Sequence, residues 1–111
     1  MNKYIVLFLA PATVMDEWMK TPQAERDVAE KKMREEWDEW MKSHSAMIKE
    51  TNAGGKTKRV TSGGVVDARN DIMLYSVIEA ESHEAATTAY VGHPHLGIPQ
   101  ASIEVMAIRP M

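Results

Sequence analysis

Leu74–Leu96 reads LYSVIEAESHEAATTAYVGHPHL, and the fold turns on it. Ile72–Ala80 alternates Met73, Tyr75 and Val77 against Ile72, Leu74, Ser76, Ile78 and Ala80, the two-residue period of a strand. Both sides are mostly apolar, so both faces of this strand are covered. Glu81 and Ser82 break the run. Ser82 is placed to cap a helix, and Glu84 falls in its first turn, where negative charge is favoured. Ala85, Ala86 and Ala89 let that helix lie close on a sheet, and Gly92 supplies a left-handed stop. Directly beyond the stop stand His93, Pro94 and His95. One apolar strand, one packing helix and two imidazoles at the helix's end form the centre of the chain.

The residues on either side complete the pattern. Tyr4–Leu9 is apolar without alternation, a second strand covered on both faces, and Pro11 ends it. Thr13–Met19 forms one or two turns with Met15, Trp18 and Met19 as its apolar patch. Thr21 and Pro22 supply a hydroxyl cap and a proline at the first helical position. The long helix that follows runs to Ser43–Ser45 with Ala29, Met33, Trp37, Trp40 and His44 on one inward stripe. Asp27/Lys31, Glu30/Arg34 and Asp38/Lys42 are acid-before-base pairs on its solvated side, each contributing a few tenths of a kcal/mol. His44, near the helix end, is expected to be packed or to bond the last carbonyls. Met47–Thr51 is a short strand, and 52–55 a turn. Thr57–Ser62 reads as an edge or hairpin extension with Lys58 and Arg59 blunting the edge; Gly63-Gly64 breaks it, and Val65–Asp67 is a brief extended piece. Ser102–Arg109 alternates into a last strand that Pro110 ends.

The order is strand, long helix, strand with a hairpin extension, strand, short helix, strand. That is the split βαβ arrangement of an α+β, ferredoxin-like sandwich, an antiparallel sheet with two helices on one face. At 111 residues, 1–111 makes one domain with room for one core. Its helices cover only one side of the sheet. The apolar residues on the other would make a patch that soluble monomers rarely expose. The expectation is an obligate homodimer with two open sheet faces packed about a twofold axis.

Composition narrows the function. A net charge of −3 of mixed sign, with Lys56, Lys58 and Arg59 as the only basic cluster, argues against a nucleic-acid partner. The absence of cysteine removes disulfide and thiolate chemistry. Lys3, Tyr4–Leu9 and Ala10-Pro11-Ala12 imitate a secretory signal but are shorter than one. No run approaches a membrane span, and the expected setting is cytoplasmic. No phosphate loop, nucleotide fingerprint or Ser-His arrangement is present, and no cofactor is implied.

Three readings of the histidines stand side by side. One imidazole acts as general acid/base. Alternatively both are metal ligands, although a site needs three or four donors and no HxxxH or HxxE motif supplies the rest. In the third, His93 satisfies carbonyls at the helix end and His95 packs against the sheet. Met33, Trp37, Trp40, Met73, Tyr75 and Met106 could wall a small apolar pocket for a compact aromatic or lactone-like molecule.

Tyr4–Leu9, Trp37-x-x-Trp40-Met41, Gly55-Lys56-Thr57, Val66-Asp67, Tyr75–Ser82 (YSVIEAES), Gly92–Leu96 (GHPHL) and Ser102–Val105 (SIEV) occur in an order that resembles the YCII-related, or DGPF-domain, group. That group lies within the dimeric α/β-barrel superfamily of ferredoxin-like proteins. The resemblance spans nearly the whole chain. Here the group's Asp-Gly-Pro-Phe reads Asp67-Ala68-Arg69-Asn70, and the glycine before its tyrosine is Leu74. The resemblance implies a homodimer and a His–Asp pair as active site, carried here by His95 or His93 with Asp67. Trp37, Trp40 and Tyr75 would then be substrate-binding. The implied chemistry is proton transfer on a small organic molecule, of lyase, isomerase or dehydrochlorinase type. Cofactor-free aromatic monooxygenases of the same superfamily are an alternative, and a non-catalytic ligand-binding or structural dimer is another. A shared fold licenses none of these chemistries by itself. A void reaching both histidine rings would favour catalysis; rings buried against the backbone would favour the non-catalytic dimer.

Overall fold

The computed structural model describes residues 1–111. Strand β1 (Asn2–Leu9) is followed by helices α1 (Ala12–Met19) and α2 (Gln23–Ser43), then strands β2 (Ile48–Ala53), β3 (Thr57–Thr61), β4 (Gly64–Ala68) and β5 (Ile72–Ala80). Helix α3 (His83–Ala89), a 3-10 turn (Pro94–Gly97) and strand β6 (Ser102–Ala107) complete the chain. The main sheet has the order β2-β5-β1-β6 with every neighbouring pair antiparallel. This is the α+β, ferredoxin-like arrangement. The β3–β4 hairpin is a separate two-stranded sheet inserted between β2 and β5.

Strand alternation sorts the sheet's side chains onto two faces. Tyr4, Val6 and Phe8 of β1 and Ile78 and Ala80 of β5 are buried beneath the helices, where Ala86 of α3 and Tyr90 join them. Ile103 and Val105 of β6, with Trp37 and Trp40 of α2, close the core from its sides. Fully burying a phenylalanine such as Phe8 contributes about 1.5–3 kcal/mol. Ser76 sits within this layer because its hydroxyl meets Thr51 Oγ1 on β2 at 2.7 Å.

The opposite face carries Ile5, Leu7, Tyr75 and Val77 in cross-strand register. Glu50 and Asn52 lie beside them on β2, and Glu104 and Met106 on β6. The uncovered face thus has an apolar centre between acidic edges. No helix crosses it.

Local chemistry sets the helix ends. Ser82 Oγ accepts from the Ala85 amide at 3.0 Å, as its spacing predicts. Gly92 holds φ +77°, the left-handed stop expected there. The start of α2 differs from expectation. Pro22 is its cap residue, with no side-chain cap bond, and Thr21 contributes its carbonyl to Arg26 Nε instead. The inward stripe of α2 is also shorter than its sequence suggests. Met33, Trp37, Trp40 and His44 are half-buried, but Ala29 is exposed, because this part of α2 borders an open cleft shared with α1 and residues 97–100. No helix is long and apolar enough to cross a membrane.

Candidate functional site

The two central histidines are interior groups. His93 and His95 are 2% and 1% exposed. The segment after Gly92 turns into the 3-10 turn rather than continuing extended, which tucks His95 under the sheet's end. There the His95 Nε2–H donates to the Leu9 carbonyl at 2.9 Å. Its own amide donates to His93 Nδ1 at 3.0 Å, so His93 caps the turn. A neutral His93 therefore carries its hydrogen on Nε2. That atom is buried with no hydrogen-bond partner. It lies in an aromatic cage whose ring centroids are 4.4 Å (Trp37), 4.5 Å (Trp40) and 5.4 Å (Phe8) from the imidazole. The Tyr90 ring borders the same cage, and its hydroxyl is likewise buried and unpartnered.

Burial controls the charge of this cluster. It pushes the His93 pKa down to about 4, helped by repulsion from His95 and His44. His95 is lowered by burial too, while hydrogen bonds to the Leu9 and Ser102 backbone pull the other way. Burial alone raises the Tyr90 phenol. At neutral pH the cluster is uncharged. The two remaining histidines also bond carbonyls: His44 Nδ1 to Trp40 at 2.8 Å, as expected for a residue at a helix end, and His83 Nε2 to Val105 at 2.7 Å. All four imidazoles in the chain are thus engaged with backbone.

The other candidate residues do not converge on the imidazoles. Asp67 stands on the β3–β4 hairpin with its side chain 88% exposed, 2.7 Å from Lys58 Nζ. No hydrogen bond or ion pair joins it to either histidine. Tyr75 lies on the open sheet face, where its hydroxyl accepts from Asn52 Nδ2 at 3.1 Å. Trp37 and Trp40 are on the helix side, so the sheet separates them from Tyr75. Alternation along the strands sends Met73 and Met106 to that open side as well, away from Met33 on α2. The pocket expected between helix and sheet is filled by the aromatic cage. No group of three or more His, Asp or Glu side chains is arranged to hold a metal ion.

Two clefts lie on either side of α1. A cleft of about 730 Å³ runs between α1, α2 and the 97–100 loop. Val14, Met15, Trp18, Met33 and Ile98 give it apolar walls; Glu17, Glu30 and Gln100 are its larger polar groups, and no lysine or arginine lines it. Trp18 Nε1 donates to Glu30 Oε1 at 3.3 Å across it. Gln100 has φ 61°, the only non-glycine residue in the left-handed region. Such conformations are strained and collect at functional sites. A second cleft of about 590 Å³, on the other side of Met15, lies at the root of the hairpin. Lys56, Lys58, Asp67 and Arg69 line it, with Lys58 paired to Asp67 and Arg69 to Asp16.

Sequence reading finds Met15 and Trp18 only as an apolar patch, and Met33 as a pocket wall, though of a pocket between helix and sheet. The acids and Gln100 that complete the first cleft carry no motif. Gly97 and Pro99 mark a loop there, but no residue type signals the left-handed backbone of Gln100.

No family model matches the chain, and no curated protein matches it. Among solved structures it is similar to 5-chloro-2-hydroxyhydroquinone dehydrochlorinase from Burkholderia phenoliruptrix AC1100, determined in complex with 2,5-dihydroxybenzoquinone. The TM-score is 0.48 and the identity 14%, over 100% of this chain and 94% of that one. This similarity assigns no residue a role here.

Proposed function

We propose that this chain is a single-domain, cytoplasmic homodimer of the YCII-related group that binds a compact small molecule in the cleft between α1, α2 and the 97–100 loop. On this reading the paired imidazoles are structural and take no part in proton transfer. The observation that carries it is the separation of the two features: the histidine rings are sealed against backbone and aromatic rings, while an accessible cleft lies beside Trp18, Met33 and Gln100. A general acid/base must reach its substrate within hydrogen-bonding distance, directly or through one water. Neither His93 nor His95 borders either cleft.

The lining selects the ligand class. Apolar walls with a few convergent polar groups are the usual make-up of a small-molecule site. Glu17 is paired with Lys20 at 2.9 Å, but Glu30 has no ion-pair partner and no lysine or arginine lines the cleft, which disfavours an anion; the ligand is neutral or cationic, with an apolar body and hydrogen-bond donors. The homodimer rests on the apolar centre of the open sheet face, which a second sheet would cover.

Catechol, benzylamine and benzoate serve as neutral, cationic and anionic probes. Catechol and benzylamine are expected to shift the amide resonances of residues 14–18 and 97–100, and to change tryptophan emission in the unmodified chain. Trp18→Phe should abolish the emission change, because the other two indoles pack against the core and do not line the cleft. Shifts at residues 93–95 in place of the cleft would restore the catalytic reading. No shift with any of the three would refute binding in the cleft.

A further inference from the structure

The β3–β4 hairpin is held by its own pairing, and no other element packs broadly against it. Of residues 57–68, only Thr57 and Ala68, at its root, are not exposed. A lone two-stranded hairpin is marginally stable at best in water. This one also exposes three valines: Val60 at 76%, Val65 at 61% and Val66 at 54%. Val60 and Val65 are cross-strand partners, so they share a face, and the Lys58–Asp67 pair stands next to them on that face.

Size measures point the same way. A folded monomer of this mass exposes about 6,200 Å². This chain exposes 7986 Å². The excess is of the order that one subunit gives up in an obligate interface, about 1,000–2,500 Å². Its radius of gyration is 15.8 Å, where about 13 Å is expected for the length.

Charge supplies the partner. Residues 56–68 hold Lys56, Lys58 and Arg59 against Asp67, a balance of +2 in a chain of net charge −3; Lys58 shares the Val60–Val65 face, where Asp67 is its present partner, and Arg59 stands on the opposite face beside Val66. The open sheet face has its apolar centre flanked by Glu50 and Glu104, and Glu104 has no ion-pair partner. A basic, valine-bearing arm and an apolar face with acidic edges are complementary, and a twofold axis presents each to the other twice.

We propose that the β3–β4 hairpin is an arm that clasps a second copy of this chain, laying its Val60–Val65 face, with Lys58 beside it, against the acidic edge of the partner's open sheet. This rests on the homodimer reading given above and adds to it a specific contact that sheet-on-sheet packing does not require.

The chain contains no cysteine, so one introduced thiol is a unique reporter. Val65→Cys would be followed with a chromogenic disulfide reagent over a dilution series, alongside sedimentation of the variant and of the unmodified chain. Roughly ten-fold slower labelling is expected where the protein sediments as a dimer, with full reactivity once it dissociates. Independently, Val60→Asp should weaken dimerisation roughly ten-fold or more, with unchanged circular dichroism. Loss of the dimer in Val65→Cys alone would also support the clasp. A dimer with a fully reactive thiol overturns the arm and leaves the homodimer standing. A chain that sediments as a monomer at every concentration overturns both.

Discussion

His93 shows what burial does to a titratable side chain. Its Nδ1 is occupied by the His95 amide and its Nε2 faces indole rings, so protonation would place an unsolvated charge in the core. The folded-state pKa near 4 lies below the ordinary histidine value of 6.5. Between those values the unfolded chain binds the proton and the folded chain does not. Stability therefore rises with pH across this window, and is lost as pH falls from about 6.5 to about 4. For His93 alone the full effect is on the order of 3 kcal/mol. His95, lowered in the same direction, steepens it. Urea midpoints measured from pH 7 to 4.5 should fall accordingly. His93→Asn keeps an acceptor for the His95 amide but cannot take up the proton, so its curve should be flatter, from a lower value at pH 7. An equal slope in both proteins would show that the acid sensitivity arises elsewhere. The histidine–proline–histidine motif is plain in the sequence. Whether its rings face a void or a wall depends on Trp37, Trp40 and Phe8, which are brought to it from distant positions.

Elements were readable where local chemistry and burial agree. β1 shows a continuous apolar run ended by Pro11, and β5, β6 and α3 show period, cap and stop in a few residues each; the structure follows them closely. Ser82→Ala removes the one side-chain cap on an α-helix and should cost about 1 kcal/mol, measured as a shift in the denaturation midpoint. A change within a few tenths would mean that packing of Ala86 alone holds α3. Reading is less complete where the neighbours decide. In α2 the four-residue stripe runs on to Ala29, but that part of the helix borders an open cleft and becomes its wall. Periodicity marks the face that can be buried; it does not say how far the partner surface extends. The same limit applies to the methionines and Tyr75, grouped by composition and then divided between two sheet faces by strand register.

At the scale of the whole molecule the chain is flat, 44 × 44 × 20 Å, with 11 of 111 residues buried. So thin a core suits a subunit better than a free domain. If basic arms meet acidic sheet edges, association must weaken with salt, since these charges lie near the rim and are screened within roughly 10 Å at 0.1 M. Sedimentation equilibrium at 50 mM and 500 mM salt should show a several-fold weaker dimer at the higher concentration. Salt-independent association would assign the interface to the apolar centre alone. The sequence by itself determined the strand and helix order, the antiparallel ferredoxin-like sheet and its two-sided apolar strands, because these follow from alternation, capping and turn chemistry within a few residues. Only the tertiary structure decided that the imidazoles are sealed, that Asp67 faces water with Lys58, and that two clefts lie beside α1. Those outcomes depend on which distant side chains fill the volume around each group, and packing between remote segments leaves no local period to read.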